Sequence, residues 1–352
     1  MKLGLSVGYS GASLNIPIDL IKLAERLGYD SVWTAEAYGS DAMTPLAWIA
    51  AQTSRIRLGT GIAQLAGRTP AMCAMQAMTI DALAGGGRMI VGLGVSGPQI
   101  VEGWYGQPWG KPYYRVRDYV QIMKKIFRRE GPVSHEGKEI SLPYFGEGST
   151  GLGKPLFSIL HPTNDIPVML GSGSDSMLRL CGEVCDGVLP LRFTPAQMPR
   201  YRRLIEEGFA RAGNGKSWDN FAFESGVSVI ITDDVKAALR QIKPGVALYV
   251  GGMGHPSVNF HKRTMEQAGY ADAAARIEEL FRAGRKEEAA DAVPDEYVDD
   301  HALVGTPERI RERYKPWAES GVTGLHIGTR QPAAIELMAE IARTTESATV
   351  AS

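Results

Sequence analysis

The sequence predicts an α/β fold, a (β/α)8 (TIM) barrel with insertions after several strands. Short apolar segments typical of buried strands alternate along the 352 residues with amphipathic helical segments. This alternation is the pattern of βα units around a parallel sheet. Eight strands are predicted, each followed by a plausible helix, at residues 2–7, 31–35, 56–59, 89–93, 167–171, 187–190, 223–231 and 324–328.

The first βα unit carries clear boundary signals. Its opening residues hold a single lysine and alternate apolar with small side chains, which favours a strand over a secretory signal. Pro17 predicts the start of the following helix, and Gly28 predicts its end. One helical stripe between them carries Leu20, Leu23, Ala24 and Leu27.

Two stretches interrupt the alternation, at about residues 131–165 and 243–302. The first is rich in Gly, Pro and aromatic residues and predicts a loop, whereas the second contains a charged helical segment. Because insertions after barrel strands lie over the carboxyl-terminal face, we expect both to shape the substrate pocket. The chain is interpreted as a single barrel domain over residues 1–352.

The amino-acid composition limits the kind of molecule that the protein is expected to bind. Lys and Arg total 38 against 39 Asp and Glu, so no overall field favours nucleic acid or an anionic membrane, and a small molecule is expected. No apolar stretch approaches the roughly 20 residues that span a bilayer. Three scattered cysteines, Cys73, Cys181 and Cys185, do not form a disulfide framework, so a cytoplasmic location is expected.

Several common site motifs are incomplete. Gly92–Gly97 matches GxGxxG, but it follows the fourth strand and no βαβ unit opens at its third glycine. Gly148–Lys154 fits most of a phosphate-binding P-loop, yet Pro155 stands where a hydroxyl would bind magnesium. The six histidines, including His255 and His261, lack zinc-ligand spacing, so no metal is predicted.

The strongest functional signal is the position of three glycine-rich turns, each at the carboxyl end of a predicted strand. They occupy residues 59–62, 92–97 and 171–174. Glycine there lets the backbone approach a ligand, and exposed N–H groups can hold a phosphate or the edge of a flat ring. Tight turns also need glycine on structural grounds, but three such turns together favour a cofactor.

Four segments match a known family in order and spacing: residues 30–36 (DSVWTAE), 57–62 (RLGTGI), 86–97 (GGRMIVGLGVSG), and 166–171 (IPVMLG) with 185–187 (CDG). Together they resemble the luciferase-like monooxygenase superfamily, and specifically its branch of oxidoreductases that use the deazaflavin coenzyme F420. The similarity covers nearly the whole chain.

The resemblance implies that the tricyclic ring of F420 lies in the barrel mouth against a bulge after the third strand. In this sequence the bulge falls at Gly61 and Ile62, and a cis peptide bond is predicted between them. Asp175 departs from the family pattern, because its carboxylate would repel a phosphate unless it capped the helix and pointed away. Further cofactor contacts are implied for Gly94, Val95, Ser96, Gly97, Gly171, Ser172, Gly173 and Ser174.

Glu36 is the candidate catalytic residue, and it is also a candidate cofactor ligand. Relatives that oxidise sugar phosphates carry an Asp-His pair at this strand end, where this chain has Glu36 and Ala37. A carboxylate in a half-dry mouth can have a raised pKa and move a proton, or it can bind the polar edge of the ring. A structural role, holding a backbone N–H group or an arginine, is equally open.

The implied activity is hydride transfer between C5 of the deazaflavin and a small organic substrate, with the protein supplying orientation and excluding water. Relatives are often dimers, so a homodimer is expected. Trp33 belongs either to the substrate wall or to the core. The predicted apolar substrate wall consists of Trp104, Tyr105, Trp109, Tyr249 and Met253.

Two alternatives stay open, and a third is disfavoured. The same fold could use FMN with oxygen as a luciferase-like monooxygenase, or it could bind F420 or a flavin without catalysis. An aldolase-type barrel would need a strand-end lysine for a Schiff base, and no predicted strand ends in one.

Overall fold

The computed structural model describes residues 1–213, 215–253 and 259–350, without the side chains of 346–350. His255 lies outside the described residues. Within them the chain forms ten strands: β1 (Lys2–Gly8), β2 (Ser31–Thr34), β3 (Arg57–Thr60), β4 (Ala63–Gln64), β5 (Met89–Gly94), β6 (Val168–Ser172), β7 (Gly187–Pro190), β8 (Ala222–Ile231), β9 (Ala302–Gly305) and β10 (Gly324–Gly328).

Fourteen α-helices and one π-helical turn, Leu248–Gly252, occupy much of the remaining described chain. The α-helices are α1 (Ile18–Arg26), α2 (Thr44–Ala50), α3 (Pro70–Leu83), α4 (Pro98–Gly103), α5 (Pro112–Arg128), α6 (Asp175–Val184), α7 (Met198–Ala212), α8 (Val235–Ala247), α9 (Phe260–Gln267), α10 (Ala271–Arg282), α11 (Lys286–Asp291), α12 (Asp295–Asp300), α13 (Pro307–Glu319) and α14 (Pro332–Val350).

Eight parallel strands close into a barrel in the order β1-β2-β3-β5-β6-β7-β8-β10, and β10 pairs with both β8 and β1. Gly324 of β10 lies opposite Glu224 of β8 on one side and Lys2 of β1 on the other. The predicted (β/α)8 barrel and all eight predicted strands are therefore confirmed. Each strand end lies within one residue of its expected position.

The sequence analysis missed two short strands. β4 continues β3 beyond an interruption and pairs with β5. β9 pairs with the second half of β8, where Ser228–Ile231 lies opposite Ala302–Gly305. A run of two residues is too short for β4 to show a pattern of its own. β9 lies at the end of the second interrupting stretch, where the sequence analysis expected no barrel strand, and it becomes a strand by pairing with β8.

The two interrupting stretches lie at different places on the barrel. Residues 131–165 connect the end of α5 to the start of β6, so both ends of this stretch lie at the amino-terminal end of the barrel, and Thr163 contacts Gly86 before β5. The sequence analysis placed it over the opposite face, because it assumed that the stretch follows a strand rather than a helix. The division into one barrel domain with two insertions stays an interpretation.

Residues 243–302 hold the end of α8, the π-helical turn and α9 to α12. These elements have a second apolar cluster of their own, which includes Val246, Ile277 and Tyr297. The cluster reaches β9 through Ala302 and Val304, so the helices are anchored to the barrel at its carboxyl-terminal end.

The barrel interior is filled by a mixed apolar and polar layer. Trp33 is 2% exposed and packs with Ile90 and Met169, so it belongs to the core rather than to a substrate wall. Its ring stacks on His326 at 4.1 Å between centroids. Burial favours the neutral acid of Glu224, but a 2.7 Å hydrogen bond with His326 and nearby positive charges outweigh it and lower the pKa of Glu224.

Helix length and cysteine chemistry give two further observations. None of the helices in the described part of the chain combines the length and apolarity that a bilayer span requires. Cys73, Cys181 and Cys185 are free thiols in the core. The cytoplasmic location expected from the sequence stays a prediction.

Adding a single methyl group should lower the stability of the protein at one glycine of the barrel strands and not at another. A Cβ on Gly59 would overlap the buried indole of Trp33, so we expect Gly59→Ala to lower the free energy of unfolding by about 1–3 kcal/mol. A Cβ on Gly226 would meet no atom within 4 Å, so Gly226→Ala is the matched control and should be neutral or slightly stabilising. Urea unfolding followed by circular dichroism measures both, and equal effects would contradict this account of the core.

Candidate active site

The carboxyl-terminal ends of the barrel strands form a mouth in which the predicted site residues lie. Between β3 and β4 the Gly61–Ile62 peptide bond is cis, which confirms the prediction. The N–H of Gly61 donates to the carbonyl of Thr34 at 2.6 Å, and the N–H of Glu36 donates to the carbonyl of Ile62 at 3.3 Å. The bulge is therefore tied to the end of β2.

The side chain of Ile62 explains why two of the turn residues are glycine. A Cβ on Gly171 would lie 2.8 Å from Cγ2 of Ile62, and a Cβ on Gly94 would overlap its Cδ1 atom. Ile62 thus occupies the space that side chains at β5 and β6 would fill. Cofactor contact by Gly94 and Gly171 stays a prediction, because their lack of a side chain has this structural cause.

The turn after β5 is formed by Val95, Ser96 and Gly97. Ser96 has a φ of 59°, a left-handed conformation that is uncommon for residues other than glycine. Val95 packs partly against the main core. Ser96 and Gly97 are half-buried at the mouth, and the backbone carbonyl of Met253 lies 3.9 Å from the Cβ position of Gly97.

The turn after β6 leads into α6 through Ser172, Gly173 and Ser174. Ser174 is the N-cap residue of α6 but its side chain makes no capping bond. Arg200 of α7 pairs with Asp175 and donates to the carbonyl of Gly173 at 3.1 Å. The charge of Asp175 is therefore compensated, and a positive guanidinium stands beside the start of α6, where N–H groups favour anions.

The carboxylate of Glu36 is buried and accepts four hydrogen bonds. Its Oε1 accepts from the N–H of Gln64 at 2.5 Å and from Arg68 at 2.7 Å, and its Oε2 accepts from the N–H of Ala42 and from Arg68, each at 2.9 Å. Burial favours the neutral form of Arg68, but the hydrogen bonds and charge of Glu36 outweigh it and raise the pKa of Arg68. These hydrogen bonds fit the structural role that the sequence left open. The catalytic and cofactor-binding roles of Glu36 stay predictions.

The predicted substrate wall is divided between two sides of the mouth. On one side, Tyr105 packs against Gly67, beside Glu36 and Arg68, and burial followed by the charge of Glu36 raises its pKa. Trp109 lies near Leu65 and Val95. Trp104 is 63% exposed and makes no ring contact among the described residues.

On the other side, Tyr249 and Met253 follow α8 and reach the ends of β1 and β2. The hydroxyl of Tyr249 lies 3.1 Å from that of Tyr9, and the hydroxyl of Tyr38 lies 3.4 Å from Sδ of Met253. These contacts connect the π-helical segment to the barrel rim. The sequence analysis missed Tyr9 and Tyr38, because neither stands in a motif and each gains its neighbour from a segment more than 200 residues away.

Other candidate sites are weaker. A surface cleft of about 440 Å³ is lined by lysines, but it lies on the outside of the barrel between α5 and α6. Its cations are already bonded, since Lys124 pairs with Asp186, Lys125 donates to the carbonyl of Ser134 and Lys216 contacts the carbonyl of Cys185. In the described residues, no three His, Cys, Asp or Glu side chains form a group suited to a metal ion.

Comparison with known proteins adds independent information. Residues 3–324 match the family described as luciferase-like monooxygenase. A Mycobacterium tuberculosis protein, provisionally named a coenzyme F420-dependent oxidoreductase, is 48% identical over 92% of this chain and 93% of its own length. The 5,10-methylenetetrahydromethanopterin reductase of Archaeoglobus fulgidus is 28% identical over 90% of this chain and 92% of its own.

The fold comparison agrees with the sequence comparison. The solved structure of the coenzyme F420-dependent tetrahydromethanopterin reductase of Methanopyrus kandleri superposes with a TM-score of 0.78 at 25% identity. The alignment covers 96% of this chain and 97% of that one.

A double-mutant cycle tests the structural role of Glu36. Because removing one member of a buried ion pair leaves the other uncompensated, Glu36→Gln and Arg68→Met should each cost about 3 kcal/mol of unfolding free energy. The double variant should cost clearly less than the sum.

The control for this cycle is Glu279→Gln, which breaks the exposed Arg276–Glu279 pair and should change stability by less than about 1 kcal/mol. Unfolding in urea measures all four variants. Unchanged stability in Glu36→Gln would show that the carboxylate is not needed for the fold and would favour a role in proton transfer.

Proposed function

This chain belongs to the luciferase-like monooxygenase family, and we propose that it is an oxidoreductase dependent on coenzyme F420. Its reaction would transfer a hydride between C5 of the deazaflavin and a small organic substrate. The observation that carries the proposal is the 48% identity, over nearly the full length of both chains, to a protein provisionally named for this cofactor.

The described residues fit such a cofactor. The backbone at Gly8, where β1 ends, has open space around it, since a Cβ there would meet no atom within 4 Å. The start of α6 has no side-chain cap and has Arg200 beside it. The phosphate would be held by Ser172, Gly173 and Ser174 with Arg200, and the ring and its side chain by Ile62, Val95, Ser96 and Gly97.

When bound, F420 would accept or donate a hydride at C5. The chain contributes orientation and a dry environment. Ile62, backed by β5 and β6, supplies a fixed apolar surface on one side of the mouth. The Tyr9–Tyr249 and Tyr38–Met253 contacts cover another side and limit the entry of water.

The proposal gives roles to two further residues. Glu36 would act as a positioning residue, because its carboxylate ties the end of β2 to Ala42 and to Gln64 and Arg68 beyond the bulge. The Tyr249 hydroxyl is neutral at pH 7, as tyrosine ordinarily is, and burial raises its pKa further. It could therefore donate a hydrogen bond to a polar substrate atom.

Cofactor titrations separate this proposal from its rivals. We expect the purified chain to bind F420 at least about tenfold more tightly than FMN, as measured by quenching of cofactor fluorescence. Loss of a charge-assisted contact typically costs about 1.5–3 kcal/mol, so Arg200→Met should weaken F420 binding at least about tenfold. Arg203→Met, on the same helix but paired outward with Glu207, is the control and should bind normally.

Micromolar binding of FMN alone would overturn the choice of cofactor and favour the monooxygenase alternative. Tight F420 binding without any substrate-dependent change in deazaflavin absorbance, across a chemically diverse panel of compounds, would instead favour a non-catalytic binder.

We also propose that the chain forms a homodimer through α2 and α3. Their outer surface exposes Trp48, Met72, Met75 and Leu83 by 46% to 69%, and apolar side chains exposed together are typical of a protein–protein contact. Light scattering after gel filtration should give twice the 38.1 kDa chain mass. The double variant Met75→Glu, Leu83→Glu should be monomeric, whereas Leu152→Glu, on the exposed 131–165 stretch, should not alter the mass.

A further inference from the structure

Arg192 stands at the barrel mouth without a partner for its charge. It follows the carboxyl end of β7 by two residues and is half-buried. Among the described residues its guanidinium makes no ion pair and no hydrogen bond, in contrast to Arg68 with Glu36 and Arg200 with Asp175. A half-buried cation without a counter-charge is costly, and a bound anion would offset that cost.

The backbone of Arg192 is held in an unusual conformation. Its φ of 48° lies in the left-handed region, which non-glycine residues rarely adopt and which often marks a ligand-binding position. Nε2 of His301 lies 3.1 Å from its carbonyl oxygen, and Nδ1 of His301 lies 2.7 Å from the carbonyl of Tyr297. His301 thus fixes the position of Arg192 against α12.

The groups within reach of the charge of Arg192 are hydroxyls and imidazoles, and the carboxylate of Asp300 acts on one of them, His301. The ring of His261 lies 4.6 Å from that of Tyr249, whose hydroxyl contacts Tyr9 at the rim. Burial lowers the pKa of His261 to about 3, and the charge of Arg192 adds to this shift. Nδ1 of His261 is buried and has no hydrogen-bond partner among the described residues. An unpaired cation therefore lies near a buried imidazole with an unsatisfied nitrogen, and neither group has an anionic partner among the described residues.

We propose that Arg192 binds a carboxylate of the substrate, so that the enzyme acts on organic acids with an apolar body. A planar guanidinium can bind a carboxylate through two parallel hydrogen bonds. A single cation flanked by neutral hydroxyls suits a monoanion, whereas a phosphate dianion would need a second free cation here. The apolar body would lie toward Tyr38 and Met253.

This inference rests on the proposed function, because it takes the barrel mouth as the substrate site. It assigns to Arg192 the selection of substrate and no part in the chemistry. It also separates Arg192 from Arg200, which lies beside α6 and would serve the cofactor phosphate.

The test uses benzoate and its uncharged analogue benzamide as probes, titrated calorimetrically into the full-length protein loaded with F420. Wild-type protein should bind benzoate at least about tenfold more tightly than benzamide. Arg192→Met should abolish this preference, and Arg192→Lys should retain part of it. Arg330→Met is the matched control, because Arg330 follows the end of β10 and is also unpaired among the described residues, but is exposed rather than half-buried.

Several outcomes would overturn the proposal. These are equal affinity of wild-type protein for the two probes, no measurable benzoate binding at millimolar concentration, or an unchanged preference in Arg192→Met with its circular dichroism spectrum intact. A loss of F420 affinity in Arg192→Met with the benzoate preference retained would assign Arg192 to the cofactor instead.

The same probes distinguish this failure from failure of the proposed function. Saturation-transfer NMR on the cofactor-free chain measures the benzoate preference independently of F420. A chain that fails to bind F420 but keeps an Arg192-dependent preference for benzoate would refute the cofactor assignment and leave the carboxylate site in place.

Discussion

The buried carboxylate of Glu36 is the constraint on which the geometry of the mouth depends. A charge removed from water must be neutralised and fully hydrogen-bonded, and its donors come from Ala42, Gln64 and Arg68. Satisfying this one group fixes the end of β2 against the segment that carries β4. The cis bulge lies between them, so the side chain of Ile62 is directed against β5 and β6. The hydroxyl of Tyr119 extends the same network to α5 through the carbonyl of Arg68 at 3.1 Å.

Buried polar groups differ in whether the protein itself supplies their hydrogen-bond partners. Below the mouth, His326 bonds to Glu224 and Trp33 donates to Ser31, so this interior layer is satisfied within the barrel. At the rim, the guanidinium of Arg192 and Nδ1 of His261 have no partner among the described residues. A satisfied network stabilises one packing arrangement, whereas unsatisfied groups raise the free energy of the unliganded protein. Unsatisfied buried atoms also occur away from the rim, as at Gln76 and Glu278, so the contrast supports the proposed ligand site at the rim only together with the unpaired charge of Arg192.

Glycine is required at the strand ends for two different physical reasons. The side chain of Ile62 occupies the space that a side chain on Gly94 or Gly171 would need, and Trp33 does the same at Gly59. Packing alone therefore requires glycine at these three positions. Gly8 meets no neighbour and has a φ of 76°, so backbone conformation and open space account for it. The glycine-rich turns in the sequence indicate the mouth correctly. They do not distinguish a glycine required by packing from one required by backbone conformation, because the residue is the same in both cases.

The sequence by itself determined the barrel, its eight main strands and the place of the bulge. The barrel and its strands follow from local pattern, because buried strands alternate with amphipathic helices and turn residues mark their ends. The place of the bulge follows from the family resemblance. Only the tertiary structure decided which charged and polar side chains pair with each other. Glu36 pairs with Arg68, which is 32 positions away in the sequence, and Asp175 pairs with Arg200. The hydroxyls of Tyr9 and Tyr249 meet across 240 positions. No local pattern encodes such pairings, since they depend on closing the barrel and on where each strand ends. The same closure leaves Arg192 without an acidic partner among the described residues, and no local pattern could predict this.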